Sequence, residues 1–277
     1  MTRLVPVREI AALRLALPRD EQWIGDMTWV PVAATEIHLA CRYFPLAVRF
    51  DGQTPRLGLI VGQRYLVHPL RDEAGAWRGA YRPIGLRCFP FSALHPGDDP
   101  LTDILIDAAS PHLSATDGVP IVDGDGKPSR MLRELHRLFG LLKQAEDTLA
   151  GPLDQFMIGG LLAPLSSATD DEATDASQLY VLDPARFQHT KPAALGAMAR
   201  HGLLSVDLAV ACHFSLLTLR PEYRPKPTAE QRRQSGASAP VVTPMIAMDD
   251  LALALDDGEL VSLWNIDALR IEARAEA

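Results

Sequence analysis

Apolar residues recur along this chain with two different periods. After Ser129, the positions Met131, Leu135, Leu138, Leu142 and Leu149 fall on one face of a 3.6-residue repeat, with Arg130, Arg133, Glu134 and Arg137 on the other. Ser129 offers the hydroxyl that a helix N-terminus needs. Gly151-Pro152 is expected to interrupt this helix, with a second one from Leu153 to about Leu162. Ile37, Ala40, Cys41 and Phe44 share a helical face that Pro45 closes. Ile10, Leu13 and Leu15 to Leu17 have helix-like spacing in a mixed N-terminal segment. Asp183-Pro184 starts a short helix, and Ala193 to His201 is a helix closed by Gly202. Leu203 to Leu219 reads as a strand passing into a buried helix.

The shorter period gives strands. Trp29 to Val32, Leu46 to Phe50, Leu57 to Val61 and Tyr65 to Val67 are β-prone runs, with Asp51-Gly52 as a turn, and predict an antiparallel meander. Leu101 to Ile106 and Leu179 to Leu182 add strands, and Ser110 to Gly118 is polar and reads as a turn or short helix. Ser166 to Ser177 is acidic and poor in apolar residues, so it reads as an exposed loop. Pro221 to Pro240 has the composition of a linker. Beyond it Leu251 to Leu255 and Leu260 to Trp264 flank Asp256-Asp257-Gly258 as a hairpin. The predicted fold class is α+β, a mostly antiparallel sheet with packed helices plus a C-terminal β-hairpin extension. The predicted divisions are an N-terminal segment at 1–27, a main domain at 28–220, a linker at 221–240 and the extension at 241–277. A lone hairpin is marginal in water, so the extension should dock on the main body or on a second copy, making a homo-oligomer.

Composition narrows the function. The chain has 277 residues and a net charge of −8, which argues against general nucleic-acid binding. Cys41, Cys88 and Cys212 match no metal spacing and read as buried thiols in a reducing compartment. The first residues lack a secretory h-region. No run approaches the ~18 apolar residues of a membrane span. The expected location is cytoplasmic.

The densest chemistry lies at Trp77 to Phe91, which holds aromatic rings, arginines and prolines together. Trp77, Tyr81, Arg82, Arg87, Phe89 and Phe91 make a candidate docking face for a peptide or protein partner, because Arg and aromatic side chains dominate binding hot spots. The same residues also suit a core strand with arginines paired to carboxylates. Candidates for acid–base chemistry are Glu36, Asp107 and His213. Asp107 also suits a turn cap, and His213 a satisfied buried histidine, with no Gly-x-Ser-x-Gly elbow near Ser215. Asp123-Gly124-Asp125-Gly126 starts like a calcium loop, but Lys127 and Pro128 stand where further ligands belong, so a tight turn is preferred. No nucleotide-binding glycine motif occurs, so neither a cofactor nor a metal is expected.

Several blocks resemble the SapC family of bacterial proteins. Val30-Pro31-Val32 with Glu36, then Tyr43-Phe44-Pro45, is similar to its N-terminal block, and Trp77 to Phe91 to its Trp-x-x-x-Tyr-x-Pro block. Ile106-Asp107 through Pro128-Ser129 resembles its central block. Leu179 to Asp183, Gly202-Leu203-Leu204 and His213-x-Ser215-Leu216 resemble its C-terminal block. The resemblance runs from about Trp29 to Leu219 in the family's order. Two positions depart from the pattern: Arg64-Tyr65-Leu66-Val67 replaces the usual Asn-Leu-Phe-Val, and the acidic loop replaces a hairpin before Leu179. The resemblance implies a link to bacterial surface-layer or outer-membrane uptake systems, and no catalytic residue or cofactor. The leading expectation is a non-enzymatic accessory protein for a peptide or protein partner. The alternative is an enzyme acting on a small molecule or peptide through carboxylate or histidine chemistry.

Overall fold

Leu46 and Val48 face one side of their strand and Ala47 the other, and all three are about 1% exposed. Side chains alternate along a strand, so both faces of this sheet are buried. The computed structural model describes residues 3–16, 23–24, 27–72, 77–78, 81–93, 97–165, 179–200 and 204–225. The chain divides into two units, Met1–Pro227 and Thr228–Ala277. The expected hairpin at 241–277, the acidic loop and the Gly202 cap lie outside the described residues.

The central sheet is antiparallel, in the order β10 (Leu162–Pro164), β11 (Leu179–Leu182), β4 (Leu46–Asp51), β5 (Thr54–Ile60) and β3 (Trp29–Pro31). The β4–β5 hairpin turns at Gly52, whose φ of 60° favours glycine. Two smaller antiparallel sheets complete the α+β fold. β1 (Leu4–Pro6) and β6 (Ser92–Ala93) flank β7 (Ile104–Asp107), and β8 (Leu113–Ser114) and β9 (Val119–Pro120) flank β2 (Arg14–Leu15). The helix-like spacing near Ile10 therefore resolves into a 3-10 turn, Val7–Ile10, between two strands.

Seven α-helices occur among the described residues, four of them a single turn or little more: α1 (Ile37–Ala40), α2 (Ile84–Arg87), α3 (Pro100–Asp103) and α5 (Pro184–Gln188). The longer ones are α4 (Arg130–Ile158), α6 (Pro192–Arg200) and α7 (Leu204–Ser215). α4 joins two cores. Its first half packs Leu132, Leu135, Leu138 and Phe139 with Ile104 and Ile106 of β7. Its second half packs Leu149, Leu153 and Phe156 with Leu46, Val48 and Leu59, and with Leu208 and Cys212 of α7. A third core covers the other face of the sheet, joining Ala47, Ile60 and Val181 to Tyr65, Leu219 and Tyr223.

Several further expectations need correction. α4 runs unbroken for 29 residues through Pro152. Burial of Leu149, Leu153 and Phe156 along one face outweighs the lost backbone bond. Tyr65 to Leu66 is not a strand: a 3-10 turn, Gln63–Tyr65, buries the tyrosine, and Leu66 keeps only an isolated bridge to Leu219. Leu101 lies in α3, capped by Asp99, so β7 begins only at Ile104. The stretch from Leu204 to Thr218 is helical, so the part from Leu204 on that is expected to begin as a strand is helix instead. The start of the expected linker is ordered on the body, since Tyr223 is 6% exposed with its ring 4.8 Å from that of Tyr65.

Candidate aromatic cleft

Glu36 organises the aromatic block. It ends the 3-10 turn Ala34–Glu36, and its Oε1 curls back to accept the Ala33 N–H at 3.0 Å. Its Oε2 accepts the Tyr81 hydroxyl at 2.7 Å and the Ile84 N–H at 3.1 Å. The second of these donors is an orphan of the first turn of α2. Three donors on one carboxylate satisfy a charge that is only 7% exposed. Burial, and then the Glu36 charge and hydrogen bond, push the Tyr81 hydroxyl far above its usual ionisation range.

Tyr81 in turn fixes Trp77, whose Nε1 donates to the Tyr81 carbonyl at 3.0 Å. Trp77 lies nearly parallel to Phe44, with centroids 6.2 Å apart, and Tyr81 meets Phe44 edge-on at 6.3 Å. The Arg82 guanidinium sits 5.4 Å from the centroid of the Trp77 ring. Burial and then the Arg87 charge lower its pKa from the usual value. These rings form the floor and wall of a cleft of about 350 Å³, completed by Arg42, Tyr43, His68, Pro69, Leu70, Arg78 and Thr218. The wall made by His68, Pro69 and Leu70 is tied to Trp77 and Arg78 by a bridge between Arg71 and Trp77 and by the Arg78 N–H, which donates to the Leu70 carbonyl at 2.9 Å.

The block from Trp77 to Phe91 therefore does not form one face. α2 turns the chain between Tyr81 and Phe89, and the second half lies on a different groove. Arg87 and Phe89 line that groove with Leu15, Val119 and Met131. Phe89 stacks on Trp23 at 4.1 Å, and Arg87 pairs with Glu134 at 3.5 Å on the surface. Phe91 is 7% exposed and packs in the core around α4. Its ring is structural, because the chain after α2 turns inward toward β6.

The three acid–base candidates sit on three elements with separate neighbours. Glu36 has its oxygens committed to the donors named above. Asp107 closes β7 and accepts the Ala109 N–H at 3.1 Å, a turn-capping geometry. His213 lies on α7 with its ring 6.1 Å from that of Phe187, and its buried Nδ1 has no partner among the described residues. Asp123 to Lys127 is a tight turn, with Asp125 paired to Lys127 at 2.9 Å. Among the described residues no group of three or more His, Cys, Asp or Glu side chains is placed to hold a metal ion. Cys41, Cys88 and Cys212 are buried free thiols, and burial raises the pKa of each. A groove of about 660 Å³ beneath α6 is lined by His189 but by no Phe, Tyr or Trp among the described residues. No single helix among the described residues is long and apolar enough to cross a membrane.

Arg42, His68, Pro69, Leu70 and Thr218 are the cleft residues that sequence pattern does not single out, since they come from segments brought together by tertiary contacts, whereas Arg78 belongs to the arginine-rich block from Trp77 to Phe91. Tyr43 does carry a signal, standing beside Phe44 and Pro45 in a block similar to the family's first. No curated protein and no solved structure matches the chain. The SapC family model matches residues 8–220, starting ahead of Trp29 and ending just after Leu219, and with that much of the chain covered the protein belongs to the SapC family.

Proposed function

We propose that this SapC-family chain is a non-enzymatic accessory protein that binds a segment of a peptide or protein partner. The observation that carries the reading is the cleft held open by the Glu36–Tyr81–Trp77 hydrogen-bond series. Trp77 and Tyr81 are held before any ligand arrives, so ordering these two rings costs little on binding. Tyr43 is 49% exposed at the edge, a large amphipathic ring available to a partner. Glu36 serves this arrangement as a positioning residue, which accounts for its burial without a role in proton transfer. The family's naming favours a partner in a bacterial surface-layer or outer-membrane uptake system, with the chain acting on the cytoplasmic side.

The reading is tested by affinity capture from the native cell with the wild-type chain and with Tyr43→Ser and Arg82→Ala, each checked for folding by circular dichroism. The expected result is a partner retained by the wild type and lost from both variants. Retention of the same proteins by all three chains overturns the assignment of the cleft.

A further inference from the structure

We infer that the cleft takes an acidic peptide segment, with one bulky apolar side chain inserted among the rings and Asp or Glu residues on either side of it. This rests on the binding reading above and specifies the chemistry of the partner.

Charge is the first argument. The chain has 35 acidic and 27 basic residues, so an ordinary patch of its surface should carry more carboxylates than cations. The cleft reverses that balance. It is lined by Arg42, Arg78 and His68 and by no aspartate or glutamate among the described residues. Arg42, His68 and Arg78 are all exposed. Other arginines of this protein are paired: Arg56 with Glu146 at 3.2 Å, Arg137 with Glu134 at 2.8 Å and Arg186 with Asp183 at 3.1 Å. Arg42 and Arg78 have no carboxylate partner among the described residues. A guanidinium donates to a carboxylate in bidentate geometry and with modest desolvation cost, so such a pair beside an apolar cleft is complementary to acidic side chains.

Shape is the second argument. A cleft of about 350 Å³ is near the small end for a ligand site and suits one large side chain. Phe44, 1% exposed, closes the floor. The guanidinium groups belong to cleft-lining residues on separate chain segments, Arg42 after α1 and Arg78 after Trp77. In the proposed pose a main chain crossing the rim presents carboxylates to both while its central side chain enters. The overall charge of −8 disfavours a long polyanion, whose remaining charges would meet a repulsive surface, whereas a short acidic segment meets only the local cations.

The test uses the full chain and fluorescence anisotropy. Random short peptides with a fixed central tryptophan are displayed and selected on the wild type, and the selected sequence is remade with its acidic residues changed to amides. Acidic flanks should be enriched, and the amide version should bind about tenfold more weakly, the scale of one or two charge-assisted contacts. The Arg42→Gln/Arg78→Gln double variant, changed only at exposed positions, should lose that preference while keeping the affinity of the amide peptide. Selection of peptides without acidic flanks, or equal binding of both versions, overturns the charge inference and leaves the binding reading standing. An acidic preference that survives the double variant overturns the cleft as its source. Failure to select any peptide that Tyr43→Ser releases overturns the binding reading and this inference together. An oligonucleotide of equal charge that binds as tightly as the acidic peptide overturns the peptide assignment.

Discussion

The Tyr81 hydroxyl donates to Glu36 Oε2 across 2.7 Å, joining positions 45 residues apart in the sequence. One carboxylate thereby ties the turn before α1, the aromatic wall of the cleft and the start of α2.

Removing the charge should loosen all three. In Glu36→Gln the amide can keep only part of this set, because its NH2 group must face one of the three donors. A donor buried against a donor costs about 2–3 kcal/mol, which for a body of this size lowers Tm by roughly 5–10 °C. Tyr81→Phe removes one hydrogen bond and should cost about 1–1.5 kcal/mol. Urea unfolding of the three proteins checks the order. Equal midpoints for Glu36→Gln and wild type would show that the carboxylate is not the tie described.

Gly58 should tolerate no side chain. It faces Pro31 across the β3–β5 pair, and a Cβ there would lie 2.2 Å from Trp29 Cε2 and 2.2 Å from the Val30 carbonyl oxygen. The Trp29 ring cannot swing away freely, because its Nε1 donates to the Ala47 carbonyl at 3.1 Å. Gly58→Ala should therefore cost about 2–3 kcal/mol through overpacking. A shift in tryptophan emission should accompany it. Wild-type stability with unchanged emission would refute the close packing.

The regular parts of this fold are legible in the sequence because each is fixed by its own residues. The period of Leu135, Leu138 and Leu142 predicts α4, Ser129 predicts its start, and Asp51-Gly52 predicts the β4–β5 turn. The departures arise where contacts distant in sequence decide. Tyr65 looks like a strand residue, yet Tyr223 and Leu219 bury it in a 3-10 turn. Pro152 looks like a helix end, yet Leu149 before it and Leu153 and Phe156 after it pack in one core and carry the helix past it. In the cleft, the aromatic density of Trp77 and Tyr81 is visible in the sequence. The buried role of Glu36 is not, since two of its three donors, Tyr81 and Ile84, lie 45 and 48 residues further along the chain.

Replacing that proline should strengthen the helix. Pro152 has no N–H to give the Thr148 carbonyl, and proline in a helix interior costs up to ~3 kcal/mol relative to alanine. Its restricted unfolded state returns about 0.4–1 kcal/mol of this. Pro152→Ala should therefore raise stability by about 2 kcal/mol, seen as a higher urea midpoint with an unchanged slope. A lower midpoint would show that the ring makes contacts worth more than the missing bond.

Alkaline pH should weaken the fold through its buried thiols. Burial pushes Cys88 and Cys212 up from 9.0 to about 12, so the native state keeps them protonated while the unfolded chain ionises. A group raised in the folded state contributes its full stability below the unfolded pKa and loses it as pH climbs to the folded one. The loss from these thiols therefore begins near pH 9.0 and continues to about 12, and Tyr81 adds to it above its unfolded value of 10.0. Each thiol contributes a slope of about 1.4 kcal/mol per pH unit within that window. Urea midpoints measured across it should fall more steeply for the wild type than for Cys88→Ala or Cys212→Ala, because only the unfolded wild type gains that thiolate. The same burial should keep native thiols slow toward iodoacetamide near neutral pH, with fast labelling once urea unfolds the chain. Parallel pH slopes in wild type and variants, or fast labelling of the native protein, would show that these thiols meet solvent.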